Sequence, residues 1–237
     1  MLDWIKKESQ AQYIARPDHA SNYLIWPHPD RSIPRGAKIT VRNDEIALFF
    51  REGKFIGKIL PGTLLIDTAN IPFLGSLIDK FTGGNQFITE LFFCKTSESQ
   101  QRLEREKLGQ FVDPFGGNLV NLEGGLEYTI SVQDAEKLIS SVGGQNIYSN
   151  DLSINLFEGR VKNIIRTLVG QFATQINTIT DITSGSKTED FSTALRERLS
   201  EEFSTVGVKL IRVMNLLIHI YIYIYISMYI YIYIYIY

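Results

Sequence analysis

Lys38–Thr63 reads KITVRNDEIALFFREGKFIGKILPGT and predicts three consecutive β-strands. The first is Ile39–Val41, and the Asn-Asp dipeptide after it favours a turn because both side chains can bond to nearby backbone. The second is Ile46–Phe50, whose unbroken apolar run is typical of a strand that is covered on both faces. The third is Phe55–Leu60, which a Pro-Gly dipeptide ends. The stretch therefore predicts a β-meander around which the rest of the chain is organised.

The composition limits the classes of partner and compartment. The chain has 237 residues, with 24 basic and 26 acidic side chains and a formal net charge of −2. This balance favours neither nucleic acid nor an anionic membrane surface, because both attract clustered cations. The single cysteine, Cys94, allows no internal disulfide and indicates a reducing compartment such as the cytoplasm, with a disulfide-free secreted protein as the alternative. No signal peptide is expected, because Lys6, Lys7 and Glu8 follow the first residues at once where an apolar run would be needed.

The N-terminal residues predict a helical arm over residues 1–20. Apolar residues fall near one stripe of a helix over residues 2–15, which would dock on a membrane surface or a partner, or pack on its own domain. Residues 16–37 contain four of the seven prolines, so this segment is expected to be irregular or extended. His19 and His28 lie there without other ligand types at a metal-binding spacing, so no metal site is predicted.

The β pattern continues beyond the meander. Leu64–Thr68 and Phe87–Cys94 predict further strands, and residues 71–78 between them predict an apolar loop or a short helix. The charged residues 96–109 predict a solvated connecting helix or loop. A hairpin is then expected, with arms at Leu119–Leu122 and Leu126–Val132 and a turn at Glu123–Gly125.

Helices dominate the chain after the hairpin. Steps of three and four between apolar residues give broad apolar stripes, and a capping box is expected at the start of the last helix. The predicted helices are Asp134–Val142, Ile154–Ile179 and Ser186–Phe203, with a strand starting at Val208. This order of elements, with strands first, then helices and a final strand, predicts an α+β fold. The amphipathic helices are expected to pack on a mostly antiparallel, β-rich domain.

The pattern NDEIALFFREGKFIGKILPGT also resembles the opening of an SPFH domain, the module of stomatins, prohibitins and flotillins. The run from Leu24 to Lys95 more closely resembles a mostly soluble, bacterial-type branch that is described as virion-core-protein-like. The resemblance covers Tyr23–Asn215 and implies an SPFH-like domain over residues 21–215 that is incomplete at its C-terminus. It also implies self-association into rings or clusters, usually at a membrane, where such proteins organise other proteins.

The last 22 residues, 216–237, read LLIHIYIYIYISMYIYIYIYIY and carry no charged side chain. A helix of this length would span roughly 33 Å, enough for a bilayer. Tyrosine prefers the membrane interface, however, and a period of two is that of a strand. Because ATA encodes isoleucine and TAT encodes tyrosine, our hypothesis is an AT microsatellite read as protein, through an intron or a gene-model error. A membrane anchor and an irregular native tail are the alternatives.

The sequence predicts no catalytic, cofactor-binding or metal-binding residue. It has no nucleophile elbow, phosphate loop or metalloprotease motif, and Asp113 and Asp134 suit a turn and a helix start. We therefore expect a non-enzymatic scaffold that forms a homo-oligomer through sheet edges or helix faces, with a membrane-protein partner or peripheral membrane contact and no nucleic acid. The alternatives are an adaptor that regulates a protease or other enzyme, and a hydrolase in which Cys94 uses a distant histidine.

Overall fold

The computed structural model describes residues 13–78, 83, 85–112, 119–142, 157–173, 186–223 and 229–236. The chain divides into two compact units, each of which takes two segments of the sequence. The first unit contains Met1–Ser97 and Val132–Ile154, and the second contains Glu98–Ser131 and Asn155–Tyr237. The fold is α+β, as predicted, with mostly antiparallel sheets and three α-helices in the described residues.

The first unit contains nine short strands, two 3₁₀ helices and one α-helix among its described residues. The strands are β1 (Tyr13–Ile14), β2 (Ile25–Pro27), β3 (Ser32–Pro34), β4 (Lys38–Val41), β5 (Glu45–Arg51), β6 (Lys54–Ile59), β7 (Gly62–Leu65), β8 (Gln86–Ile88) and β9 (Glu90–Lys95). The helices are Asp18–Ala20 and Pro72–Leu77, both 3₁₀, and α1 (Ala135–Val142).

These strands form three sheets. The first has the order β1-β4-β7, with β1 parallel to β4, and the second has the order β2-β9-β5-β6 and is antiparallel throughout. The third pairs β3 with β8. All three predicted strands of the central stretch are confirmed, but the prediction of one meander is wrong because β4 and β5 belong to different sheets. The predicted strand Phe87–Cys94 is likewise divided at Thr89 between two sheets.

One hydrophobic core takes residues from all three sheets. Phe49, Phe87 and Phe93 are fully buried in it together with aliphatic side chains from β1, β3 and β4. Phe73, from the second 3₁₀ helix, packs edge-on against Phe49 with ring centroids 5.3 Å apart. Its ring occupies the space above Gly57, where an added Cβ would lie only 2.5 Å from Phe73 Cδ1. Glycine at position 57 therefore allows this aromatic ring to approach the sheet.

The second unit is built on four strands and two helices. The strands are β10 (Ser99–Val112), β11 (Leu119–Val132), β12 (Val208–Tyr223) and β13 (Tyr229–Ile236), hydrogen-bonded in that order. The helices are α2 (Glu158–Ala173) and α3 (Ser186–Ser204). Their buried residues follow the predicted apolar stripes, and Phe203 of α3 contacts Phe157 and Tyr128 at ring-centroid distances of 4.9 and 5.5 Å.

Two predictions in this unit are wrong. Residues 96–109 do not form a helix, because Ser99–Val112 pairs as a long antiparallel strand with β11. Residues 119–132 are not a hairpin, because β11 runs through Gly124 without turning. The pairing of β10 with β11 is irregular at two places. The register shifts between Leu103 and Glu106 and again between Lys107 and Gly109. The glycines that suggested a turn instead lie where the ladder is irregular.

Strands lie near both ends of the chain. Residues 1–12 lie outside the described residues, but Tyr13 and Ile14 are in a strand and not in the predicted helix. At the other end, β12 and β13 pair antiparallel from Leu216 opposite Ile236 to Tyr223 opposite Tyr229, as the period of two favours. None of the helices in the described residues is both long enough and apolar enough to cross a membrane.

Candidate functional site

Cys94 is the side chain that a hydrolase would use as a nucleophile. It is fully buried in β9, whose backbone pairs with β2 on one side and β5 on the other. Burial raises the pKa of the Cys94 thiol to about 12, because the charged thiolate is strongly disfavoured away from water. The neutral thiol therefore behaves as a small hydrophobic side chain at physiological pH.

His19 and His28 are not brought into a metal-binding arrangement. His19 is exposed in the first 3₁₀ helix, whereas His28 is half-buried and packs edge-on against Trp26 at 5.8 Å. Burial lowers the pKa of His28, although Asp30 opposes the shift. No group of three His, Cys, Asp or Glu residues that could hold a metal ion occurs in the described part of the chain.

The acids for which the sequence predicts a structural role divide into two cases. Asp134 precedes α1, and its Oδ1 accepts a hydrogen bond of 2.9 Å from the backbone N–H of Lys137. It is therefore an N-cap, as the sequence predicts. Asp113 and the double glycines at 116–117 and 143–144 lie outside the described residues.

A buried ion pair is the most unusual polar feature of the first unit. Arg16 Nε lies 3.1 Å from Glu45 Oε2, and the two side chains are only 1% and 0% exposed. The two atoms face each other without hydrogen-bond alignment, so the attraction is mainly that of a contact ion pair. Arg16 Nη1 also donates to the Tyr23 carbonyl at 2.8 Å. Burial lowers the pKa of Arg16, and the carboxylate of Glu45 acts in the opposite direction.

Arg42 completes this cluster from the turn between β4 and β5. Its Nη2 donates to the Arg16 carbonyl at 3.0 Å and to Asp18 Oδ1 at 2.5 Å. Its backbone N–H donates to Glu45 Oε1 at 3.3 Å. Glu45 is thus shared by two arginines, and the cluster fastens the segment around Arg16 to the sheet that contains β5. These contacts hold chain segments of the first unit together, and we interpret the cluster as structural.

The second notable feature is exposed and apolar. Strand β7 is the outer strand of the β1-β4-β7 sheet, and all four of its residues are exposed. Leu64 and Leu65 are 38% and 41% exposed, and Leu60, two residues before the strand, is 62% exposed. On the outer face, Leu65 lies directly opposite Lys38, whose Nζ is 5.7 Å from the centre of the Tyr13 ring. We call β7 together with Leu60 the leucine edge.

Backbone hydrogen bonds show which way this edge faces. The Ile66 N–H donates to the carbonyl of Ala37, the residue just before β4, at 2.8 Å. The backbone N–H of Ile66 therefore points toward the side of β4. Positions alternate along an antiparallel pair, so Leu64 also bonds toward β4, while Thr63 and Leu65 present their backbone groups to the open side. Asn70 Nδ2 reaches the Leu65 carbonyl at 3.4 Å from that open side. No strand pairs there in the described residues.

The sequence identifies neither feature as a specific site. Sheet edges in general are expected to take part in association, but the run from Leu64 to Ile66 predicts only a further strand, since an apolar run does not reveal whether its strand is central or at an edge. Arg16 gives no signal either, because its partner Glu45 is 29 positions away in the sequence.

Comparison with known proteins agrees with this architecture. The sequence model of the SPFH domain-Band 7 family matches residues 24–220, which is most of the chain. No curated protein matches the chain. The matched region includes β2 through most of β12, and its elements follow the order that the sequence patterns predict, with a β-rich part before a helix-containing part. This chain therefore belongs to the SPFH domain-Band 7 family.

Proposed function

We propose that this protein is a non-enzymatic scaffold that self-associates and organises partner proteins, with peripheral contact to a membrane from the cytoplasm. The match of residues 24–220 to the SPFH domain-Band 7 family carries the proposal, because proteins of this family are in general membrane-associated scaffolds. We also propose that it belongs to the virion-core-protein-like branch, which the run from Leu24 to Lys95 resembles.

The chemistry of the described residues supports a role without catalysis. The Cys94 thiol has a pKa of about 12, and the buried Arg16–Glu45 pair is closed off from solvent. The described residues of the first unit do present to solvent an edge strand, β7, which pairs with β4 on one side only and carries exposed leucines. Such an edge is a feature of binding rather than of turnover.

The test is the size of the purified full chain by sedimentation velocity over a range of concentrations. The proposal expects a closed, multi-subunit particle whose size does not change on dilution. A monomer at every concentration would overturn self-association. A stoichiometric complex with one protease or other enzyme, formed by a monomeric chain, would instead support the regulatory adaptor. Flotation with vesicles of phosphatidylcholine and phosphatidylserine tests the peripheral membrane contact separately.

A further inference from the structure

We infer that the leucine edge binds an extended, apolar peptide segment with acidic flanks, supplied by a partner protein, as an added β-strand. This inference deepens the proposed scaffold role, on which it rests, by naming the class of partner segment. It starts from the outward backbone groups of β7: the N–H and C=O of Thr63 and the N–H of Leu65 face the open side. A strand placed there would satisfy all three.

The side chains at this edge determine what kind of strand fits. Leu64 lies opposite the buried Ile39 on the core side, and Leu65 lies opposite Lys38 on the outer face. The edge therefore carries a leucine on each face of the sheet. Because neighbouring residues of an added strand point to opposite faces, consecutive apolar residues would each find a leucine beside them.

The lysines near the leucine edge indicate which charge the flanks of the bound segment should carry. The residues of β4 and the run from Lys54 to Ile66 contain three lysines and no acid, and Lys38 and Lys58 are both exposed. The next residue, Asp67, is already paired with Arg35 at 3.2 Å. An added strand would lie two strand spacings from Lys38, which is about 10 Å and close to one Debye length at moderate salt. Acidic flanks are therefore favoured, with an affinity that falls as salt is added.

A lipid surface fits this edge less well. Hydrocarbon can cover Leu60, Leu64 and Leu65, but it offers no partner for backbone N–H and C=O groups, and burying them unpaired is costly. A peptide strand covers the same leucines and also satisfies the backbone groups of Thr63 and Leu65. The geometry of the edge thus favours a protein segment.

The experiment measures binding of a labelled synthetic peptide, Glu-Glu-Val-Ile-Val-Ile-Glu-Glu, to the full chain by fluorescence anisotropy. The critical variant is Thr63→Pro, which removes an outward N–H while every bond from β7 to β4 remains possible. Thr63→Val is the matched control, because it loses the same hydroxyl contact with Thr40 at 3.1 Å but keeps the N–H. We expect Thr63→Pro to weaken binding about tenfold and Thr63→Val to leave it within about twofold.

Two further measurements keep the test decisive. Leu65→Asp, a surface change that removes the apolar contact and repels acidic flanks, is expected to abolish binding even if Thr63→Pro misfolds, and circular dichroism checks the fold of each variant. A peptide with lysine in place of each glutamate is expected to bind more weakly at low salt. The inference is overturned by equal binding of both peptides, by full binding to a folded Thr63→Pro variant, or by leucine-dependent vesicle flotation without peptide binding. Sedimentation of the same samples reports separately whether the chain self-associates.

Discussion

Arg16 and Glu45 form an ion pair in which Nε and Oε2 are 3.1 Å apart and neither side chain is more than 1% exposed. The pair joins an irregular segment of the chain to the first residue of β5. Because both charges have left water, each depends on the other, and the removal of one is expected to cost far more than the removal of both.

Glu45→Gln is therefore expected to lower the free energy of unfolding by about 3–5 kcal/mol, since it leaves the Arg16 guanidinium buried without its counter-charge. The double variant Arg16→Met with Glu45→Leu is expected to recover most of this loss. Urea unfolding followed by circular dichroism measures both. A double variant no more stable than Glu45→Gln would show that the pair has a net stabilising role of its own.

Gly57→Ala is expected to destabilise the first unit by about 1–3 kcal/mol, because the new methyl group would overlap the Phe73 ring. The matched rescue is Phe73→Leu in the Gly57→Ala background, which frees space above the sheet. Thermal unfolding of the two single variants and the double variant gives the coupling between the positions. If the two changes in unfolding free energy were simply additive, this would contradict the overlap expected from the 2.5 Å between an added Cβ at position 57 and Phe73 Cδ1.

His28 is expected to make the first unit less stable below neutral pH. Its pKa is lowered in the folded state by burial, so the unfolded chain binds the proton more readily. Stability is then present above the unfolded pKa of about 6.5 and is lost as the pH falls from there toward the folded pKa. Unfolding of the wild type and of His28→Phe between these limits measures the effect. An equally steep loss in His28→Phe would assign it to other groups.

Cys94 is expected to resist alkylation by iodoacetamide in the native protein at about pH 8.5, where a free cysteine is half ionised. Burial keeps the thiol neutral under these conditions, since its pKa is about 12. Mass spectrometry after labelling with and without guanidinium chloride provides the measurement and its control. Rapid labelling without denaturant would return the hydrolase alternative to consideration.

The local patterns of the sequence predict most of the elements well. The spacing of four from Phe191 to Phe203 corresponds to buried positions, because short-range periodicity reports which face of a helix is covered. Tyr128 and Ile130 are buried as predicted, but Thr129 on the opposite face of the strand is buried as well. The N-cap at Asp134 is equally visible, since a cap needs only its own helix.

The failures all involve information from distant parts of the chain. Ser99–Val112 contains good helix formers, such as its glutamates and Leu103, but its partner β11 determines its conformation. Pairing across sheets overrides intrinsic propensity, and no local pattern reveals that partner. The leucine edge escapes prediction for the same reason, because whether β7 is an edge depends on the order of strands in the completed sheet.

Thr89 has a wider consequence for how the first unit responds to stress. Its N–H donates to the Arg31 carbonyl in the connection leading to β3, and its buried hydroxyl donates to the Phe50 carbonyl of β5 at 2.9 Å. One residue thus marks the point where a continuous chain leaves one sheet and enters another. Because Thr89 links β8 in one sheet to β9 in another, the opening of either sheet is expected to disturb both. The amide protons of β8 and β9 are therefore expected to exchange with solvent in a single cooperative opening.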